Sequence, residues 1–286
     1  MSRKTYKLVI SFTSIVFAIS AIATSLLLPK FQKETPPNYF LFAFDISRSM
    51  TAEDYMIKHT KFSRLYVAKK AAENMISQLP SSSKISLAGF LGKAPSDKNL
   101  MIFLPYVEKT ENLHEIKMAF NIIDSRNAWT TGSNIYALIE ELSTMKFVNK
   151  TTVFIFTDGG DYKAIKETLS EAINRLKENR NINIIFIGTG ENSNVSLIPD
   201  FDEYGEKLDT YLKDNKGESF QSKLEESLLI SIANELGAKY KRLKSPTDTR
   251  EIMANTLAQT LKSNWLTVYN FFMILALICF IFYLII

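Results

Sequence analysis

Along the middle of the chain, short unbroken apolar runs alternate with longer stretches in which apolar residues return every three or four positions. The runs are 39–44, 85–90, 101–107, 152–156, 182–187 and a weaker 239–243, and their β-branched and aromatic content predicts strands buried on both faces. The periodic stretches predict helices. Phe62, Leu65, Ala68, Ala72, Met75 and Leu79 make one stripe, and Ile135, Leu138, Ile139, Leu142 and Met145 a second. Ile165, Leu169, Ala172, Ile173 and Leu176 make a third, and Leu224, Leu228, Leu229, Ile232 and Leu236 a fourth. Strand and helix in alternation predict a doubly wound α/β domain, a mostly parallel sheet with helices on both faces. Run 101–107 follows 85–90 too closely for a helical crossover, so it is expected to fold back as one antiparallel edge strand. Residues 191–220 keep neither period and carry Pro199, Asp200, Asp202, Glu203, Asp209 and Asp214. They read as a long surface loop with short helical pieces, long enough to point to function rather than mere connection.

The two ends differ from this middle. Residues 8–28 hold no charged side chain, and at about 1.5 Å per residue they can cross the roughly 30 Å of a bilayer's hydrocarbon. Residues 265–286 can do the same, with Asn270 as a polar interruption and Trp265 and Tyr269 placed for an interfacial belt. Ala21-Ile22-Ala23 resembles a signal-peptide cleavage site, but Leu26, Leu27 and Leu28 continue the apolar run beyond it, and a signal core spans only about 7 to 15 residues. An uncleaved anchor is expected. Arg3, Lys4 and Lys7 precede the first run and place the N-terminus in the cytoplasm by the positive-inside rule. The expected organisation is a cytoplasmic segment 1–7, a membrane helix 8–28, a linker 29–37, a domain over 38–262 and a second membrane helix 265–286. Such a chain passes twice through a bacterial inner membrane, with its domain in the periplasm and both termini in the cytoplasm.

Charge and cysteine content narrow the function classes. The 34 Lys and Arg against 30 Asp and Glu leave a formal charge of +4, much of it from Arg3, Lys4 and Lys7. No basic stripe interleaved with aromatics marks a nucleic-acid surface. The single cysteine, Cys279, lies in the second terminal run, so the middle has no disulfide and must rely on its core. Roughly 230 residues are ample for that.

Open α/β sheets bind ligands beyond the carboxyl ends of their strands, where the strand order reverses. Three segments are expected to meet there. The first is Asp45, Ser47 and Ser49, because alternate residues of a short loop can turn a carboxylate and two hydroxyls toward one hard cation. The second is Trp129-Thr130-Thr131-Gly132-Ser133-Asn134, leading into a helix that starts near Ser133. The third is Thr157-Asp158-Gly159-Gly160, closing the fourth run. Singly, Ser133 reads as a helix N-cap and Asp158-Gly159-Gly160 as a turn. In this order and at these junctions, the chain resembles a von Willebrand factor A (VWA) domain with a metal-ion-dependent adhesion site.

That resemblance implies a Rossmann-like fold, Ser47 and Ser49 as direct ligands, Asp45 and Asp158 acting through metal-bound waters, and a third hydroxyl from the middle segment. Ser133 aligns best with the third position, with Thr131 or Thr130 as alternatives, because Thr131-Gly132-Ser133-Asn134 stands where the family usually has Gly-Gly-Thr-Asn. Magnesium, or manganese, is the expected cation; magnesium prefers six oxygens and keeps several waters, which suits hydroxyls backed by carboxylates. One water position is then open to an acidic residue of a partner protein.

The resemblance extends to membrane-anchored bacterial proteins of the Bacteroides aerotolerance type and their relatives encoded beside MoxR-class AAA+ ATPases. Asp45-Ile46-Ser47-Arg48-Ser49-Met50, Ala52-Glu53-Asp54, Arg64-Leu65 and Ala68-Lys69 match the opening of that group. Ile198-Pro199, Asp214, Lys216-Gly217-Glu218 and Ser222-Lys223-Leu224 match its closing half. One span precedes the domain where many members have two. Trp129 with Gly132-Ser133 is similar to relatives from methanol dehydrogenase maturation clusters. The implied role is an accessory factor, working with a MoxR-type ATPase and other VWA membrane proteins in assembly, maturation or metal loading of periplasmic proteins. The alternative is an adhesion or stress-tolerance sensor without a maturation client. An enzyme is not expected: phosphoryl transfer through Asp45 wants a second aspartate two residues on as general acid, and that residue is Ser47. His59 and His114 are isolated, and Asp200, Asp202 and Glu203 lack the spacing of an EF-hand.

Overall fold

The apolar run after Asn38 becomes β1 (Tyr39–Asp45), buried from its second residue onward because neighbouring strands and helices cover both its faces. The structure, a computed structural model, describes residues 38–92, 99–125, 134–147, 149–160 and 166–254, with side chains except at 166–168. Segments 8–28 and 265–286, and Thr130, Thr131 and Ser133, lie outside the described residues. Among the described residues no helix is long and apolar enough to cross a membrane.

After β1 come a 3-10 turn at Arg48–Thr51, β2 (Tyr55–Ile57), β3 (Thr60–Phe62), α1 (Arg64–Gln78), β4 (Lys84–Phe90), β5 (Leu100–Glu108), α2 (Leu113–Ile122) and α3 (Ile135–Thr144). The second half holds β6 (Thr151–Thr157), α4 (Lys166–Glu178), β7 (Ile182–Thr189), β8 (Ser196–Leu197), β9 (Pro199–Phe201), β10 (Lys207–Tyr211), β11 (Gln221–Ser222), α5 (Glu226–Leu236) and β12 (Lys239–Leu243). The main sheet has six strands in the order β12-β7-β6-β1-β4-β5. All its pairings are parallel except that of β5, which folds back along β4 at the edge, as the short spacing predicts. Successive strands step outward from β1 on one side and then, starting with β6, on the other. The carboxyl ends of β1 and β6 therefore flank the point where the order reverses.

Alternate residues of β1 serve two core layers. Leu41 and Ala43, with Val153, Ile155 and Phe186, join a cluster with Leu138 and Leu142 of α3, Ile173 of α4 and Ile232 of α5. The other register holds aromatics. Phe42 stacks on Phe154 and Phe44 on Phe156, each pair with ring centroids 5.0 Å apart, and both pairs are direct register partners of β1 and β6. Such pairs contribute about 0.5–1.5 kcal/mol each beyond their burial, and a slip of one residue would turn every ring to the wrong face. The register they hold sets Asp45 beside Thr157.

Four features differ from the sequence reading. Phe62 belongs to β3, and α1 begins after Ser63, whose hydroxyl caps it by accepting the Tyr66 N–H at 3.2 Å. Asn134, not Ser133, caps α3, its side-chain oxygen accepting the Ala137 N–H at 3.0 Å. Segment 191–220 holds strands rather than helical pieces: β8 pairs with β11 and β9 with β10. Two similar turns shape it. Asp202 Oδ1 accepts the N–H groups of Tyr204 and Glu206, Asp214 Oδ1 those of Lys216 and Glu218, and Gly205 and Gly217 close the turns in the left-handed region. Helix α2 was not read from the sequence, since Ile116, Ala119 and Phe120 alone are buried along it.

Candidate metal site

The site begins where β1 stops. Asp45 is fully buried, and its carboxylate is fixed from two sides: Oδ1 accepts the Ser47 N–H at 3.0 Å, and Oδ2 accepts the Thr157 hydroxyl at 2.7 Å. Thr157 is itself oriented, its Oγ1 accepting the Gly159 N–H at 3.0 Å. Each Asp45 oxygen retains a second lone pair. Ser47 stands at the N-cap of the 3-10 turn yet makes no side-chain cap bond. Its hydroxyl meets that of Ser49 at 3.0 Å instead. Two hydroxyls are thus turned toward each other beside a carboxylate, rather than spent on the backbone.

Asp158 follows β6 and is also fully buried. Its Oδ1 accepts the Gly160 N–H at 2.9 Å, while Oδ2 accepts from Arg64 Nη1 at 2.7 Å and from the Ser222 hydroxyl at 3.2 Å. Gly160 links the two loops: a methyl group added there would lie 3.0 Å from Asp158 Oδ1 and 3.8 Å from Ser49 Oγ. Glycine keeps that space open.

Electrostatics point the same way. Burial, and next the charge of Asp158, push the Asp45 carboxyl up to about 7. Arg64 is shared between Asp158 and Asp54, so those two carboxylates already outweigh it. A divalent cation would reverse the balance. Among the described residues no group of three or more His, Cys, Asp and Glu side chains is placed to hold a metal. The available donors are hydroxyls beside carboxylates already held by protein hydrogen bonds, a set that fits magnesium or manganese and not zinc.

Asp45, Ser47, Ser49 and Asp158 lie together at the carboxyl ends of β1 and β6. Ser133, Thr131 and Thr130 lie outside the described residues, though Asn134 next to them starts α3. His59 and His114 are both exposed, one in the β2–β3 turn and one in α2. Asp202 is occupied in its turn. Thr157 as the hydroxyl that holds Asp45, and Arg64 as the ion-pair partner of Asp158 with Asp54 and Ser222 bonded to it in turn, had no role assigned from the sequence. Arg64 carried a readable sign: it falls on the same helical face as Ala68, Ala71 and Met75, a cation in an apolar stripe.

A model of the von Willebrand factor type A domain matches residues 41–213, a span that includes Asp45, Ser47, Ser49 and Asp158. The chain belongs to that family. Two solved structures resemble this VWA chain. One is an aerotolerance-related membrane protein from Bacteroides fragilis carrying multiple mutations to serine, at 20% identity and a TM-score of 0.60, covering 77% of this chain and 98% of that one. The other is the conserved hypothetical protein BatB from Bacteroides thetaiotaomicron, at 21% identity and a TM-score of 0.62, covering 78% of this chain and 98% of that one. At such identities the likeness is one of fold. No curated protein matches the chain.

Proposed function

We propose that this VWA domain binds magnesium, or manganese, and through it a carboxylate of a partner protein. The observation that carries the proposal is the meeting of the Ser47 and Ser49 hydroxyls beside two buried carboxylates whose charge Arg64 does not balance. Ser47 and Ser49 would ligate directly, with Ser133, or else Thr131 or Thr130, as third hydroxyl. Asp45 and Asp158, both anchored by backbone N–H groups, would orient metal-bound waters. When bound, the cation supplies an electrophilic position that an outside Asp or Glu can occupy. The residues assembled suit binding and not turnover, because Ser47 stands where phosphoryl transfer through Asp45 would need an acid.

In this reading residues 8–28 and 265–286 hold the domain on the periplasmic side of a bacterial inner membrane. It serves there as an accessory factor, with a MoxR-type AAA+ ATPase and other VWA membrane proteins, in the assembly, maturation or metal loading of periplasmic proteins. The motifs shared with the aerotolerance type support this, as does the description of one structural neighbour as a membrane protein. Calorimetry on the full chain in detergent is expected to show magnesium binding that Asp45→Ala abolishes. Crosslinking from the Asp158 loop in intact membranes, read by mass spectrometry, is expected to capture a partner that the same substitution loses. Absence of magnesium binding, or capture that survives Asp45→Ala, overturns the proposal.

A further inference from the structure

Arg64, the first residue of α1, is completely buried and addresses two carboxylates at once. Its Nε and Nη2 lie 2.8 and 2.7 Å from Asp54 Oδ2, and its Nη1 lies 2.7 Å from Asp158 Oδ2. The same guanidinium donates to the Ser222 hydroxyl at 2.8 Å and to the Ser222 carbonyl at 3.2 Å. Asp54 Oδ2 also accepts the Glu191 N–H at 3.1 Å and the Ser196 hydroxyl at 3.3 Å. Asp158 holds the far end of that segment, since its carbonyl accepts the Glu225 N–H at 2.8 Å. Both ends of segment 191–225 therefore close on one buried ion-pair group, and one anion of that group belongs to the candidate metal site.

We propose that Arg64 is a positioning residue that couples the metal site to segment 191–225, so that a cation held beside Asp158 tightens the segment. The coupling rests on the metal-binding function proposed above. Without a cation, the carboxylates of Asp54 and Asp158 share the single charge of Arg64, which leaves negative charge in excess at the Asp158 end of the group. A divalent charge beside Asp158 cancels that excess and fixes Asp158; Arg64 and Ser222 pass the restraint to both ends of the segment. The planar fork of arginine is what makes this possible, because it donates to Asp54, Asp158 and Ser222 in fixed directions. A lysine ammonium is a single point of charge and cannot span the three. The segment carries β8 to β11 on the chain between the sheet and α5. A partner carboxylate arriving at the metal would then meet a segment already set by the ion.

Hydrogen exchange on the full chain in detergent tests this, with calorimetry as a separate measure of magnesium binding. In the wild type, saturating magnesium is expected to slow exchange in peptides covering 191–197 and 221–225 by about fivefold or more, the low end of ordinary coupling between sites. In Arg64→Lys, magnesium still binds and slows exchange around 46–50, but the response in 191–225 disappears. Ser222→Ala removes one hydroxyl and no charge, so it covers the case of an Arg64 variant that does not fold; it is expected to diminish the response at 221–225. Magnesium binding without slowing in the wild-type segment overturns the coupling and leaves the metal site standing. So does a full response in both variants. Absence of magnesium binding to the wild type sinks the proposed function, and the coupling with it.

Discussion

The proposed metal site would ask Asp45 to do two opposed things: to remain buried without a cation of its own, and to be ionised when one arrives. Its carboxyl is pushed up from 3.8 to about 7, so in the metal-free folded chain it keeps a proton that the unfolded chain releases at lower pH. Stability in the presence of a chelator is therefore expected to fall as pH rises from about 4 to about 7, because over that window the unfolded state binds fewer protons. Asp45→Asn retains an oxygen for the Ser47 N–H and removes the charge. It is expected to flatten that slope, to unfold at pH 8 no more easily than the metal-free wild type, and to lose the stabilisation magnesium confers; thermal unfolding with and without magnesium across this pH range measures all three. Gly160 makes a different case, since its hydrogen leaves room that a methyl would take 3.0 Å from Asp158 Oδ1. Gly160→Ala is expected to weaken magnesium binding by about tenfold, or ~1.4 kcal/mol, with little change in the metal-free unfolding midpoint. An unchanged affinity would mean that Asp158 does not orient the metal's waters.

Among the elements, β2 is short and pairs only with β3 outside the main sheet, yet its Tyr55 ties distant strands together. The buried phenol donates to the Leu243 carbonyl at the end of β12 at 2.6 Å and accepts the Gly190 N–H just after β7 at 2.9 Å. Tyr55→Phe keeps the ring and orphans both backbone groups, which is expected to cost about 1–3 kcal/mol in urea unfolding. A loss below about 0.5 kcal/mol would show that water replaces the hydroxyl. Which elements the sequence reveals follows from what each one buries. Central strands such as β1 and β6 are covered on both faces and appear as unbroken apolar runs. In contrast, β10 is exposed at all its positions and leaves no such run, although Asp202 with Gly205 and Asp214 with Gly217 were available as turn signals. The site divides in the same way. Asp45, Ser47 and Ser49 are contiguous and legible together, and Asp158 sits at a predicted strand end. Arg64 is joined to Asp158 and Ser222 across 94 and 158 residues of chain, pairings that only the folded sheet brings about.

For the whole molecule, the proposed topology makes the apolar ends decide on which side of a membrane the site would work, and the cysteine content offers a direct way to ask. The sequence holds one cysteine, Cys279, inside the run 265–286. Tyr204, 78% exposed in the turn between β9 and β10, is a place where a thiol can be introduced without touching the core or the metal site. In the proposed topology, with positive charges before residue 8 held in the cytoplasm, the domain would face the periplasm. Tyr204→Cys in intact cells of a Gram-negative host is then expected to react with a maleimide that cannot cross the inner membrane, to the same extent before and after that membrane is permeabilised. The unsubstituted chain should stay unlabelled in intact cells, because the proposed span 265–286 would shield Cys279 in hydrocarbon. Labelling of Tyr204→Cys only after permeabilisation would put the domain in the cytoplasm. The periplasmic clients would then fall away, while magnesium binding at Asp45, Ser47 and Ser49 would be untouched, since it depends on the β1–β6 junction and not on the compartment around it.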